Sequence, residues 1–112
     1  MSSVIVRKLD SLRKSGAMNI TDVANVLGTT PATVSRWNSG KASPQRAKEL
    51  LLVELEYVVD RLQEFYTPEE ARLWIFSRHR LLQDRKPADL IQQGDIDPVL
   101  AAIEQLADLV YV

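Results

Sequence analysis

Five basic side chains fall within a span of nine residues: Arg78, His79, Arg80, Arg85 and Lys86. An apolar cluster, Trp74-Ile75-Phe76, precedes them, and Pro87 follows. Guanidinium and ammonium groups gathered this way recognise carboxylates or phosphates, so the chemistry on offer is the binding of an acidic surface or an anion. A metal site does not fit, because His79 is the single histidine and the chain has no cysteine to complete a ligand set. Trp74, Ile75 and Phe76 are expected in the core, as a floor beneath the cations. Part of the basic cluster is expected to pair with Asp84, Asp89 or glutamates.

No nucleophile–base pair, phosphate loop or metal set appears elsewhere, so enzymatic activity is disfavoured and no cofactor is expected. A chain of 112 residues holds one domain or two very small ones. Its 46% hydrophobic and 26% charged residues are ordinary for a globular protein. The absence of cysteine excludes disulfides and is compatible with a reducing compartment. Apolar runs stay far short of a membrane span, and the N-terminus lacks the apolar segment of a secretory signal. A cytoplasmic protein with no membrane partner is expected. The net charge of −1 hides a division. Residues 1–48 carry eight basic and two acidic side chains, whereas residues 49–112 carry six basic and thirteen acidic. The first region suits a polyanion such as DNA, which the second would repel.

The elements that must position these residues all read as helices. Val4, Ile5, Leu9 and Leu12 recur at helical spacing up to Gly16. Asn19 is a suitable N-cap for a helix burying Ile20, Val23, Ala24 and Leu27, with Asp22 in its first turn and Gly28 as a left-handed C-cap. Thr30 caps the next helix, with Pro31 at its first position, and Gly40 ends it after Asn38. Ser43-Pro44 repeats that signal and opens a long helix to about Glu64. Its core face is expected to hold Ala47, Leu50, Leu51, Leu55, Val58, Val59 and Leu62. Leu52 and Val53 exceed one core stripe, so this helix is expected to make contact on two sides. Thr67-Pro68-Glu69-Glu70 is a capping box. Pro87 starts a short helix stopped by Gly94. Asp97-Pro98 opens the last helix, whose expected buried face is Val99, Leu100, Ile103, Leu106, Leu109 and Val110. The fold class is all-α, with about seven helices.

Two stretches carry a family resemblance. Residues 20–44 resemble the Xre/Cro-like helix-turn-helix family, through Asp22-Val23-Ala24, Leu27-Gly28, Thr33-Val34-Ser35-Arg36-Trp37-Asn38-Ser39-Gly40-Lys41 and Pro44. That resemblance implies Val34 and Trp37 in the core and a DNA-facing surface of Thr30, Ala32, Thr33, Ser35 and Arg36. Arg36 could then make a bidentate contact to guanine, with Ser39, Lys41 and Arg46 on phosphates. The C-terminal half resembles the toxin-binding domain of Xre/MbcA/ParS-type antitoxins. The matching residues are Trp74-Ile75-Phe76-Ser77, Arg80-Leu81-Leu82, Arg85-Lys86-Pro87-Ala88-Asp89-Leu90, Gly94, Val99-Leu100 and Ile103. Its mycobacterial members are similar in the Arg85–Leu90 run.

Together these resemblances imply a DNA-binding region over 1–48 and a toxin-binding and dimerisation region over 49–112. They imply an antitoxin that neutralises an NAD-degrading RES-domain toxin, forms a homodimer and binds its own operator DNA. The toxin-facing residues would be Arg78, Arg80, Arg85, Lys86, Asp89, Tyr111 and Val112. The competing reading is a free-standing repressor whose C-terminal half only dimerises.

Overall fold

Polar caps and glycines cut the chain into helices. The computed structural model describes residues 3–110, and among these the fold is all-helical, with seven α-helices, a 3₁₀ turn and no strand. Helix α1 spans Ser3–Gly16, after which Ala17 turns the backbone at φ 51°. Helix α2 spans Ile20–Leu27. At its start the Asn19 side chain accepts from the Asp22 amide at 2.8 Å, and the Asn19 amide donates back to Asp22 Oδ2 at 3.1 Å. Both orphan donors at this helix end are thereby satisfied. Helix α3, Pro31–Asn38, begins where Thr30 Oγ1 accepts from the Thr33 amide. Helix α5, Pro68–Phe76, has the expected capping box between Thr67 and Glu70. A 3₁₀ turn at Arg80–Leu82 leads to α6, Pro87–Gln92, and α7 closes the fold at Asp97–Val110.

Helix α4 differs from the sequence expectation. It spans Arg46–Leu62, beginning two residues after Pro44 rather than at it. Gln45 takes the N-cap position with an extended ψ of 159° and no side-chain cap. Pro44 is buried, so its ring serves packing at the exit of α3 and does not open the helix. The inward face also shifts. Leu52, Leu55, Val58, Val59 and Leu62 are buried, whereas Ala47 and Leu50 are exposed and Leu51 is half-buried. Three further apolar positions expected inside lie outside: Val4, Leu109 and Val110. The end of α7 runs past the last surface that could cover it, which leaves Leu109 77% exposed.

One buried cluster runs from Ile5 in α1 to Ile103 in α7. Helix α1 packs on α4 and α5, and α6 lies among α2, α4, α5 and α7. Three contacts tie α2 and its C-cap to the helices from α4 onward. Lys48 Nζ donates to the Leu27 carbonyl at 2.7 Å, so α4 caps the C-terminus of α2. Gln92 of α6 lies over Gly28, where a Cβ would come within 2.9 Å of its Nε2. Asp22 pairs with Arg72 across fifty positions of sequence. Gly28 sits at φ 70°, where an L side chain is strained. Gly28→Ala should therefore cost about 1–2 kcal/mol, read as a lower urea midpoint with unchanged slope.

Candidate functional site

The basic turn between α5 and α6 is closed by its own backbone hydrogen bonds. His79 and Arg85 form an antiparallel bridge, with the His79 amide donating to the Arg85 carbonyl at 3.2 Å. The Leu82 and Asp84 amides both donate to the His79 carbonyl at 2.9 Å. Buried Leu82 anchors the loop from within. Gln83 and Asp84 adopt positive φ in succession, at 57° and 62°, a strained pair that persists because this bonding closes the loop around it. His79 stacks on Trp74 with ring centroids 4.7 Å apart, and its Nε2 lies 2.7 Å from the Trp74 carbonyl, where Nε2–H donates. Trp74 and Ile75 are buried and Phe76 is half-buried, so the apolar cluster is the floor that the sequence suggests.

The turn divides its cations into two kinds. Arg78 donates to the Asp84 carbonyl at 3.1 Å. Arg85 donates to the Leu82 carbonyl at 3.0 Å and to Gln83 Oε1 at 3.2 Å. Among the described residues the expected pairing with Asp84, Asp89 or glutamates is absent; two of the arginines bind backbone carbonyls instead. The cause is local, since the left-handed turn at 83–84 aims its carbonyls at the guanidinium groups. Arg80 is exposed and Lys86 half-exposed, and neither has a side-chain hydrogen bond or ion pair among the described residues. Asp89, in the first turn of α6, is likewise exposed and unpaired. A hollow of about 250 Å³ opens beside Arg80, lined by Tyr66, Trp74, His79, Leu81 and Leu106. Leu81 on its rim is 58% exposed. Tyr111 and Val112 lie outside the described residues.

The second surface is α3. Val34 and Trp37 are buried, while Ala32, Ser35 and Arg36 are exposed and Thr33 is half-exposed. The Thr30 and Thr33 hydroxyls lie 2.9 Å apart, and Ser39 Oγ donates to the Arg36 carbonyl, so these hydroxyls are partly spent on the backbone and on each other. Arg36, Lys41 and Arg46 are exposed with no side-chain partner among the described residues. A broad groove of about 1120 Å³ lies between α1 and the two ends Asn19–Ile20 and Asn38–Gly40. Its floor of Leu9, Met18 and Val23 is nearly closed to solvent, and of the residues singled out above for DNA contact it holds Ser39 at one end.

Sequence reasoning missed the link between the two surfaces. Arg72 Nε and Nη2 donate to the two Asp22 oxygens at 2.9 and 2.8 Å, a bidentate pair between α5 and the start of α2. Asp22 is 5% exposed and is the single buried charged residue in the described chain. The Arg72 guanidinium, with the Asn19 amide, holds the Asp22 carboxyl below its ordinary range even though burial opposes this. The other side of Arg72 lies 5.2 Å from the Phe76 ring centroid. A capping-box acid gives no sign that it has a second, distant partner, and nothing local marks Arg72.

The turn and α3 each present cations with no side-chain partner among the described residues, on an all-helical body. No family model matches the sequence. The chain is 42% identical over 91 residues to the mycobacterial cidal antitoxin MbcA of Mycobacterium tuberculosis and to that of Mycobacterium bovis, with 81% of this chain and 80% of each relative covered. It also superposes on a chain of the crystal structure of the M. tuberculosis MbcT–MbcA toxin–antitoxin complex. That match has a TM-score of 0.82 and 35% identity, covering 98% of this chain and 99% of the other. The protein belongs to the MbcA family of mycobacterial cidal antitoxins. Among its described residues no helix is long and apolar enough to cross a membrane, and no cluster of three or more potential ligands could hold a metal ion.

Proposed function

We propose that this chain is the antitoxin of a type II toxin–antitoxin system, acting in the cytoplasm. Its partner is a RES-domain enzyme that degrades NAD, and it occludes that enzyme's active-site entrance. The toxin-facing surface is the basic turn with the start of α6: Arg80, Lys86 and Asp89 directly, with Arg78 and Arg85 bracing the turn. Tyr111 and Val112 contribute to toxin binding as well. The observation that carries the reading is the hydrogen-bonded turn with two cations unpaired among the described residues, in a chain similar over nearly its whole length to one from a toxin–antitoxin complex. Residues 1–48 form a helix-turn-helix that binds operator DNA through Thr30, Ala32, Thr33, Ser35 and Arg36, with Ser39, Lys41 and Arg46 near phosphates. Two copies act together, which gives the two half-sites such a unit needs.

The test is co-expression with a RES-domain NAD-degrading enzyme. A stable complex, restored growth and preserved NAD are expected. A chain that binds the operator but neither captures the enzyme nor restores growth would be the free-standing repressor instead. On the DNA side, Arg36→Ala should weaken operator binding by about 1–3 kcal/mol, measured by fluorescence anisotropy at fixed salt. Unchanged affinity would remove Arg36 from the base-reading set.

A further inference from the structure

Helix α4 buries one face and leaves a second, ordered face uncovered. Leu50, Val53 and Tyr57 are 50%, 42% and 48% exposed, while Leu52, Leu55 and Val59 fill the core on the other side. With the exposed Arg46 and Asp60, the outward positions run 46, 50, 53, 57 and 60. Steps of four, three, four and three residues make the seam along which two helices pack side by side. An extended apolar stripe on an exposed helix face marks a contact surface.

The seam is also symmetric under reversal. Arg46 and Asp60 stand equally far from Val53, and Leu50 and Tyr57 nearly so. Both charges sit where their own helix disfavours them, a cation in the first turn and an anion in the last. Asp60 makes no ion pair among the described residues: Lys8, whose charge favours the carboxylate, is bound to Glu56 at 2.8 Å, and Asp60 accepts from Gln63. Burial and the neighbouring Glu56 raise its carboxyl above the usual range. An antiparallel copy places each of these charges at the opposite helix end and beside its counter-ion. A partner of unrelated sequence would not require a pattern that mirrors itself.

We infer that the outward face of α4 pairs with the same face of a second copy. The two helices run antiparallel about a two-fold axis at Val53, which sets Leu50 against the partner's Tyr57 and Arg46 against the partner's Asp60. The inference rests on the pairing of copies proposed above and names its surface; it does not depend on the toxin. It also gives Arg46 a role in the pair besides the phosphate contact proposed above. A stable dimer buries about 800 Å² on each partner, more than a five-position seam supplies, so the association is reversible and concentration-dependent.

Sedimentation equilibrium of the purified chain alone, without DNA or toxin, tests this. The native chain should show a monomer–dimer equilibrium between about 1 µM and about 1 mM. Leu50→Glu with Val53→Glu should weaken it at least about 30-fold, with circular dichroism confirming an intact fold. Arg46→Glu and Asp60→Arg should each weaken it about fivefold, and the double variant should recover the native constant. The chain lacks cysteine, so Val53→Cys should give a disulfide-linked dimer under mild oxidation while Gln93→Cys, on α6's exposed end, should not. A native chain that stays monomeric throughout would overturn the pairing and the face together. A dimer indifferent to the four seam variants, with no Val53→Cys cross-link, would overturn the face alone.

Discussion

Asp22→Ala should lower stability by about 3 kcal/mol, making it the most damaging polar substitution in the chain. Two losses combine. The helix α2 capping box disappears, worth about 1 kcal/mol, and Arg72 loses both bonds to a carboxylate that is only 7% exposed. Removing one partner of a fully buried ion pair costs more, but Arg72 is 40% exposed and water re-solvates it. For a domain of this size the midpoint of thermal unfolding should fall by roughly 10–15 °C. Arg72→Met should cost less, since the Asn19 amide still bonds the stranded carboxylate. A double-mutant cycle isolates the pair, and additive losses would show that the two residues do not interact.

The same pair sets an acid limit. Because Arg72 first, and Asn19 next, lower the folded carboxyl below its ordinary value of 3.8, the native state holds this proton less tightly than the unfolded chain. The pair's contribution is therefore complete above that value and disappears as pH falls through the lower folded value. Stability measured from pH 7 to pH 5 should show no loss from Asp22. Below about pH 4 the native chain should lose stability faster than Asp22→Asn. Parallel curves for the two proteins would contradict the assignment.

Arg80→Glu with Lys86→Glu should weaken the proposed complex with the RES-domain partner at least about 100-fold while changing stability by less than about 0.5 kcal/mol. Neither cation has a side-chain partner among the described residues, so reversing them breaks no side-chain bond described there. A toxin surface that answers them with carboxylates would instead meet like charge. Arg78→Ala and Arg85→Ala should behave differently. Each removes a bond to a backbone carbonyl, so each should cost about 1 kcal/mol of stability and disturb binding only through the turn. Calorimetric titration with the toxin, set beside urea melts, separates the two classes. Retained affinity in the double reversal would remove the basic turn from the interface.

How much of the fold is legible in the sequence depends on the range of the interaction. Asn19, Gly28, Thr30-Pro31, Thr67-Glu70 and Pro87 mark helix ends through bonds made within a few residues, and sequence carries such bonds directly. Ser43-Pro44 misleads because the same cap-and-proline pattern serves an extended segment when the proline ring is needed in the core. Helical period identifies α4 as having an excess of apolar positions. It does not say which of them face outward, because that phase is set by where α1, α6 and α7 pack.

By itself the sequence determined the all-helical class, the polar caps, the division of charge at residue 48 and the presence of a basic turn on an apolar floor. All arise from residue type and short spacing. Tertiary structure alone decided that Asp22 answers Arg72, that Arg78 and Arg85 brace the turn while Arg80 and Lys86 find no side-chain partner among the described residues, and that Leu50, Val53 and Tyr57 form an uncovered face. Each of these depends on how the folded backbone aims one group at another. The side chains have the same identity in either case, and only the packed helices give them a direction.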